Sequence, residues 1–150
     1  MRDYRVGDPV DILVVEDNPG DVRLTKEAFK EAQLSCELHV VTNGEEALDF
    51  LYRRNEYESA IRPHFVLLDL NLPKVDGMTV LEKICDEPVV RRTPVVVLTS
   101  SEAEEDIVEA YELQVNAYLT KPNTPDDFVE LVQTLNEFWF ELAKLPPIQS

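Results

Sequence analysis

The sequence predicts an α/β fold, a parallel sheet with helices packed on both faces. Three observations carry that expectation. Five short runs rich in apolar and β-branched residues alternate strictly with five stretches of helical periodicity. The third and fourth runs are unbroken apolar stretches of the kind found in strands covered on both sides. Turn and capping residues punctuate nearly every junction. At 150 residues, the chain reads as one domain over 1–150, with a core from about residue 10 to residue 145.

The elements justify themselves in order. Residues 1 to 9 are a polar lead-in closed by Pro9. Val10-Asp11-Ile12-Leu13-Val14-Val15 is the first strand and stops at Glu16-Asp17. Asn18-Pro19-Gly20-Asp21 opens a helix, with Asn18 as cap and Pro19 in the first turn. Val22, Thr25, Ala28, Phe29 and Ala32 give that helix one buried face. Cys36 to Val41 alternates apolar with polar, the mark of a half-exposed edge strand. After the Asn43-Gly44 turn, Glu45 to Arg54 reads as a helix through Ala47, Leu48 and Leu51. Asn55 to Pro63 is a polar connection.

His64 to Leu70 is the third strand. A buried unpaired carboxylate is very costly, so Asp69 belongs at the C-terminal tip, where Asn71 and Pro73 end the pairing. Asp76-Gly77 opens a helix carrying Met78, Leu81, Ile84 and Cys85, and Pro88 ends it. Pro94-Val95-Val96-Val97-Leu98-Thr99 is the strongest β signal. Ser100 and Ser101 precede an acidic helix start at Glu102, Glu104 and Glu105, which suits the helix dipole. Ala117-Tyr118-Leu119-Thr120 is a short fifth strand, followed by Lys121-Pro122. Thr124-Pro125-Asp126-Asp127 starts a last helix that can run to Leu145 before Pro146-Pro147.

Composition narrows the function. The net charge of −16 argues against nucleic acid or an anionic membrane as direct partner, since both need a basic face. No apolar run reaches the roughly 18 residues of a membrane span, and Met1-Arg2-Asp3-Tyr4-Arg5 lacks a signal-peptide core. A cytoplasmic protein is expected. Only six of the fourteen basic residues are lysine, a balance that suits a salt-rich cytoplasm and equally an ordinary acidic protein. Cys36 and Cys85 lie in apolar-periodic segments and read as reduced core residues.

Chemistry converges at the strand ends. In the flavodoxin-like strand order 2-1-3-4-5, ligands bind outside the C-terminal tips, and strands one and three are neighbours at the switch point. Neighbouring strands lie about 4.8 Å apart. Glu16 and Asp17 would then crowd Asp69. Three such carboxylates repel, and at least one has its pKa raised unless a hard divalent cation such as Mg²⁺ joins them. Thr99 ends strand four with a hydroxyl, and Lys121 follows strand five with an ammonium. A phosphoryl group on Asp69 would meet a metal, a hydroxyl and a positive charge, which is most of what phosphoryl transfer asks of a protein.

With Val14-Val15-Glu16-Asp17-Asn18, Leu68-Asp69-Leu70-Asn71-Leu72-Pro73 with Asp76-Gly77, Val97-Leu98-Thr99-Ser100 and Tyr118-Leu119-Thr120-Lys121-Pro122, the chain resembles a response-regulator receiver domain of the chemotaxis Y-protein type. The resemblance covers roughly residues 10 to 145. It is nearest to the single-domain receivers paired with phytochrome-like sensor kinases, which Leu70-Asn71-Leu72-Pro73-Lys74 and Phe138-Trp139-Phe140 fit.

The resemblance implies roles. Asp69 accepts the phosphoryl group from a sensor histidine kinase. Glu16 and Asp17 hold Mg²⁺ with Asp69, and the Asn71 backbone carbonyl completes the protein ligands. Glu16 stands where many members carry aspartate. Thr99 bonds the phosphoryl oxygen and moves inward on activation. Lys121 pairs with the phosphoryl group, with a cis bond to Pro122. Tyr118 is the aromatic switch, although on its own residues it also reads as plain core. The protein would catalyse only its own phosphorylation and dephosphorylation, and would signal through altered protein–protein contacts.

Two other functions compete. A haloacid-dehalogenase-type phosphatase also uses a nucleophilic aspartate, but it wants a carboxylate two residues on, where this chain has Asn71. A flavin or dinucleotide binder wants amides after strand one, where this chain offers carboxylates. His39 and His64 lie in or beside strands, not on an exposed helix, and read as ordinary surface or edge residues. In the last helix, Phe128, Leu131, Leu135, Phe138 and Leu142 form one stripe, widened by Val132 and Trp139. Phe140 falls off it, because three consecutive aromatics cannot share one face. The stripe alone makes an amphipathic helix with one stray aromatic. The surplus at Phe138, Trp139 and Phe140 points to a homodimer through that helix.

Overall fold

In the computed structural model, which describes residues 9–137, the strands are β1 (Val10–Val15), β2 (Cys36–Val41), β3 (Phe65–Leu68), β4 (Val95–Thr99) and β5 (Ala117–Thr120). The helices are α1 (Pro19–Glu31), α2 (Gly44–Tyr52), α3 (Gly77–Asp86), α4 (Glu104–Glu112) and α5 (Pro125–Leu135). All strand pairs are parallel, in the order β2-β1-β3-β4-β5. This is the doubly wound, flavodoxin-like sheet expected. Phe138, Trp139 and Phe140, and with them the dimer expectation, lie outside the described residues.

The two sheet faces bury separate cores. Leu13, Val15, Val66, Leu68 and Val97 pack under α2, α3 and α4 through Leu51, Leu81, Ile84 and Ala110. Ile12, Val14, Phe65, Leu67 and Val96 pack under α1 and α5 through Ala28, Phe29, Phe128 and Val132. Alternation along each strand sends successive side chains to opposite faces, so the central strands must be apolar throughout. The edge strand β2 is half-exposed, as its alternating pattern requires.

Four helices begin on a side-chain cap. Asn18, Asn43, Asp76 and Thr124 accept the backbone N–H of Asp21, Glu46, Thr79 and Asp127. The helix α4 starts at Ala103 without one. The second helix ends two residues before the expected Arg54, because Arg53 turns left-handed at φ 53°. The third strand stops at Leu68, before the expected Leu70, which leaves Asp69 beyond the ladder. His64 is buried, not a surface residue, and its Nδ1 accepts the Asp11 backbone N–H at 3.1 Å. Both cysteines are free, and burial pushes the Cys36 thiol up to about 11.

The turn after β3 folds back tightly. Gly77 opens α3 directly against the backbone of Asp69 and Leu70, and a Cβ there would collide with the Asp69 carbonyl oxygen and the Leu70 Cα. Gly77→Ala is therefore expected to lower stability by roughly 1–3 kcal/mol, the usual range for overpacking. It should also displace Asp69. Urea unfolding checks the first effect, and the rate of labelling at Asp69 checks the second.

Candidate functional site

Three site residues are set by one backbone device. Each sits just past a strand, and its N–H donates to the neighbouring strand. Glu16 N–H donates to the Val41 carbonyl at 3.0 Å, Asp69 N–H to Val15 at 3.1 Å, and Lys121 N–H to Thr99 at 2.8 Å. Adjacent parallel strands that end level thus present their next side chains into one cleft.

Asp69 is buried, and both its oxygens are occupied. Its Oδ1 accepts from Thr99 Oγ1 at 2.8 Å and from the Asn71 backbone N–H at 3.1 Å. Its Oδ2 accepts from Lys121 Nζ at 3.0 Å. The Lys121 ammonium also contacts Glu16 Oε1 at 2.6 Å and Asp21 Oδ2 at 2.7 Å. Burial opposes the Lys121 charge, but the bonds from Asp21, Glu16 and Asp69 outweigh it and raise the pKa above the ordinary lysine value.

Glu16 carries the opposite strain. Burial, aided by the negative charge of Asp69, pushes its carboxyl up to about 7 against the pull of Lys121 and the Asn18 amide. The Asn18 N–H donates to Glu16 Oε2 at 3.1 Å. Asp17 is exposed at the cleft mouth. Glu16, Asp17 and Asp69 each bring a carboxylate oxygen within 4.8 Å of the others. The donor set is all oxygen and under-neutralised, which fits a hard divalent cation.

Thr99 is fully buried and links Asp69 to the loop before α4. The Ser101 N–H donates to Thr99 Oγ1 at 3.4 Å, and Ser101 Oγ donates to Asp106 Oδ2 at 2.6 Å. Tyr118 is half-buried, and its hydroxyl donates to the Ser101 carbonyl at 2.9 Å. Burial raises the Tyr118 pKa, so the phenol stays a donor. Tyr118 is thus tied to this loop rather than lost in the core.

The expected cis bond between Lys121 and Pro122 is a correction. No cis peptide occurs among the described residues, so that bond is trans. Trans is favoured at X–Pro by about 0.5–1 kcal/mol, and the trans chain already delivers Nζ to three carboxylates. The sequence marks Asp21 only as part of a helix start, yet in the fold it holds Lys121. The available signal was an acid in the first turn after the Glu16-Asp17 pair, close to where a lysine must be neutralised.

Residues 12–133 match the family described as "Response regulator receiver domain". The chain belongs to the response-regulator receiver family. The receiver is 46% identical to response regulator Rcp1 of Synechocystis sp. over 138 residues, covering 92% of this chain and 94% of Rcp1. The Mn(2+)-bound form of Rcp1 superposes with a TM-score of 0.86, covering 92% of this chain and 99% of that one. The phosphorylated cyanobacterial phytochrome response regulator RcpA, 43% identical, gives 0.87 with coverage of 92% and 99%. The probable methanogenesis regulatory protein FilR2 of Methanothrix harundinacea is 40% identical, covering 93% of this chain and 89% of FilR2. The receiver is a two-component signalling protein, of the kind that works with histidine kinases. The phosphatase alternative gains nothing from these matches. No helix among the described residues is long and apolar enough to cross a membrane.

Proposed function

We propose that Asp69 takes a phosphoryl group from the phosphohistidine of a sensor kinase, with Mg²⁺ held by Glu16, Asp17, Asp69 and the Asn71 backbone carbonyl. One Asp69 carboxylate oxygen bonds to phosphorus as the phosphorus–nitrogen bond to histidine breaks, and the electron pair leaves with the imidazole. The observation that carries this reading is the pairing of both Asp69 oxygens with donors from two other strand ends, Thr99 and Lys121, beside an acidic pair. When bound, the cation offsets the charge of the phosphoryl oxygens and of the crowded carboxylates. Lys121 supplies a fixed positive charge, and Thr99 a hydroxyl donor to the phosphoryl oxygens.

Thr99 cannot serve the phosphoryl group without releasing Asp69 Oδ1. That movement pulls on Ser101 and so on Tyr118 and the start of α4. Thr99 and Tyr118 therefore form the switch, and the surface of α4, β5 and α5 carries the output to another protein. Relatives named for phytochrome pathways favour a phytochrome-like kinase. Residues 1–150 form one receiver domain acting in the cytoplasm, and the aromatic surplus of the last helix supports a homodimer. Autophosphorylation and autodephosphorylation are its only catalysis.

The test is acetyl phosphate with Mg²⁺, followed by intact mass. One phosphoryl group should appear, vanish on treatment with hydroxylamine as an acyl phosphate does, and fail to form when EDTA replaces Mg²⁺. Rapid continuous hydrolysis without a labelled intermediate, or no labelling, defeats the reading. A phosphotransfer profile against the histidine kinases of the source cell then identifies the partner.

A further inference from the structure

Lys121 has three carboxylate partners, and they are not equivalent. Glu16 and Asp69 belong to the group that can hold a cation, together with Asp17. Asp21 does not belong to it. It stands in the first turn of α1, with its N–H on the Asn18 cap at 3.1 Å and its carbonyl accepting from Thr25 Oγ1 at 2.8 Å. Those bonds fix its backbone, and its carboxylate reaches across to Lys121 Nζ at 2.7 Å. The Lys121 side chain is only 11% exposed, so water does little to replace a lost partner.

A cation held by Glu16, Asp17 and Asp69 shares two ligands with Lys121. As those carboxylates turn to the metal, the ammonium keeps a full partner only at Asp21. An ammonium left buried without one is strongly unfavourable, and the same oxygens would then be contested between metal and lysine.

We propose that Asp21 is a positioning residue: it gives Lys121 an anchor outside the cation-binding carboxylates, and so lets metal and ammonium occupy the cleft together. The inference rests on the proposed metal-dependent phosphorylation of Asp69. In the cation-free protein, losing Asp21 leaves Lys121 with two partners. In the metal-bound protein it leaves Lys121 with little, so the metal-bound state suffers more.

The experiment is Mg²⁺ titration by calorimetry on the full chain. Asp21→Asn should raise the Mg²⁺ dissociation constant roughly threefold to tenfold, the range of a charge-assisted hydrogen bond partly exposed to water. Asp21→Glu, which keeps the charge and the acceptor, should recover most of that loss. A double-mutant cycle with Lys121→Met separates anchoring from a plain field effect. If Asp21 acts through Lys121, Asp21→Asn changes Mg²⁺ affinity by less than twofold once Lys121 is gone. An equal loss in both backgrounds, or no loss in the first, overturns the proposal, and thermal melts confirm that each variant is folded. Wild-type protein that binds Mg²⁺ and labels at Asp69 while Asp21→Asn matches it refutes this inference alone. Wild-type protein that does neither refutes the phosphorylation reading and this inference with it.

Discussion

Asp69→Asn is expected to abolish labelling by acetyl phosphate while leaving the protein folded. The amide oxygen of asparagine can still accept from Thr99 and from the Asn71 backbone N–H, the two bonds now made by Asp69 Oδ1. Lys121 keeps Glu16 and Asp21. What disappears is the ionised oxygen that attacks phosphorus, and an amide is no substitute as a nucleophile. The effect should be a complete loss, read by phosphate-affinity electrophoresis, because no other carboxylate is held by a hydroxyl and an ammonium together among the described residues. Label persisting at wild-type level in Asp69→Asn would move the chemistry elsewhere.

Glu16→Gln should stabilise the metal-free protein at pH 8 and change little at pH 5. Glu16 has a folded pKa pushed up to about 7, mainly by burial, above the ordinary glutamate value near 4.5. Below both values native and unfolded chains hold the proton alike. Between them the native state keeps a proton that the unfolded chain has released, so stability falls as pH rises. Above about 7 the full penalty stands, on the order of 3 kcal/mol. Glutamine does not titrate, so the gap between variant and wild type should open as pH rises through that window. Added Mg²⁺ should close it from the other side, since only the wild type gains an ionised ligand. Urea unfolding at the two pH values, with and without Mg²⁺, checks this. A gap independent of pH would mean that Glu16 is not the strained carboxylate.

Much of the site was legible because strand ends are local events. Glu16-Asp17, Asp69, Thr99 and Lys121 each follow an apolar run, and parallel strands that alternate with helices bring their C-terminal ends to one edge. The caps at Asn18 and Thr124 were legible for the same reason, since a cap bonds only two or three residues ahead, whereas Asn43 reads in the sequence as a turn and Asp76 only as a helix opening, and the structure makes caps of both. The end of the second helix is not legible in the sequence, because Arg53 adopts a left-handed conformation that nothing in its side chain demands. His64 looked superficial because a histidine beside a strand has no fixed depth until its neighbour, here Asp11, is placed.

Local order along the chain was thus enough to establish the alternating architecture and the acidic cleft, because periodicity, capping and strand termination act between near neighbours, while the motifs at the strand ends carried the resemblance to the receiver family. It could not reveal that Lys121 leans on Asp21, a hundred residues away, that its bond to Pro122 is trans, or that Tyr118 is tethered to Ser101. Those contacts depend on where separate elements come to rest once the two cores have packed. A side chain chooses among several acceptors only when the folded chain has set their distances.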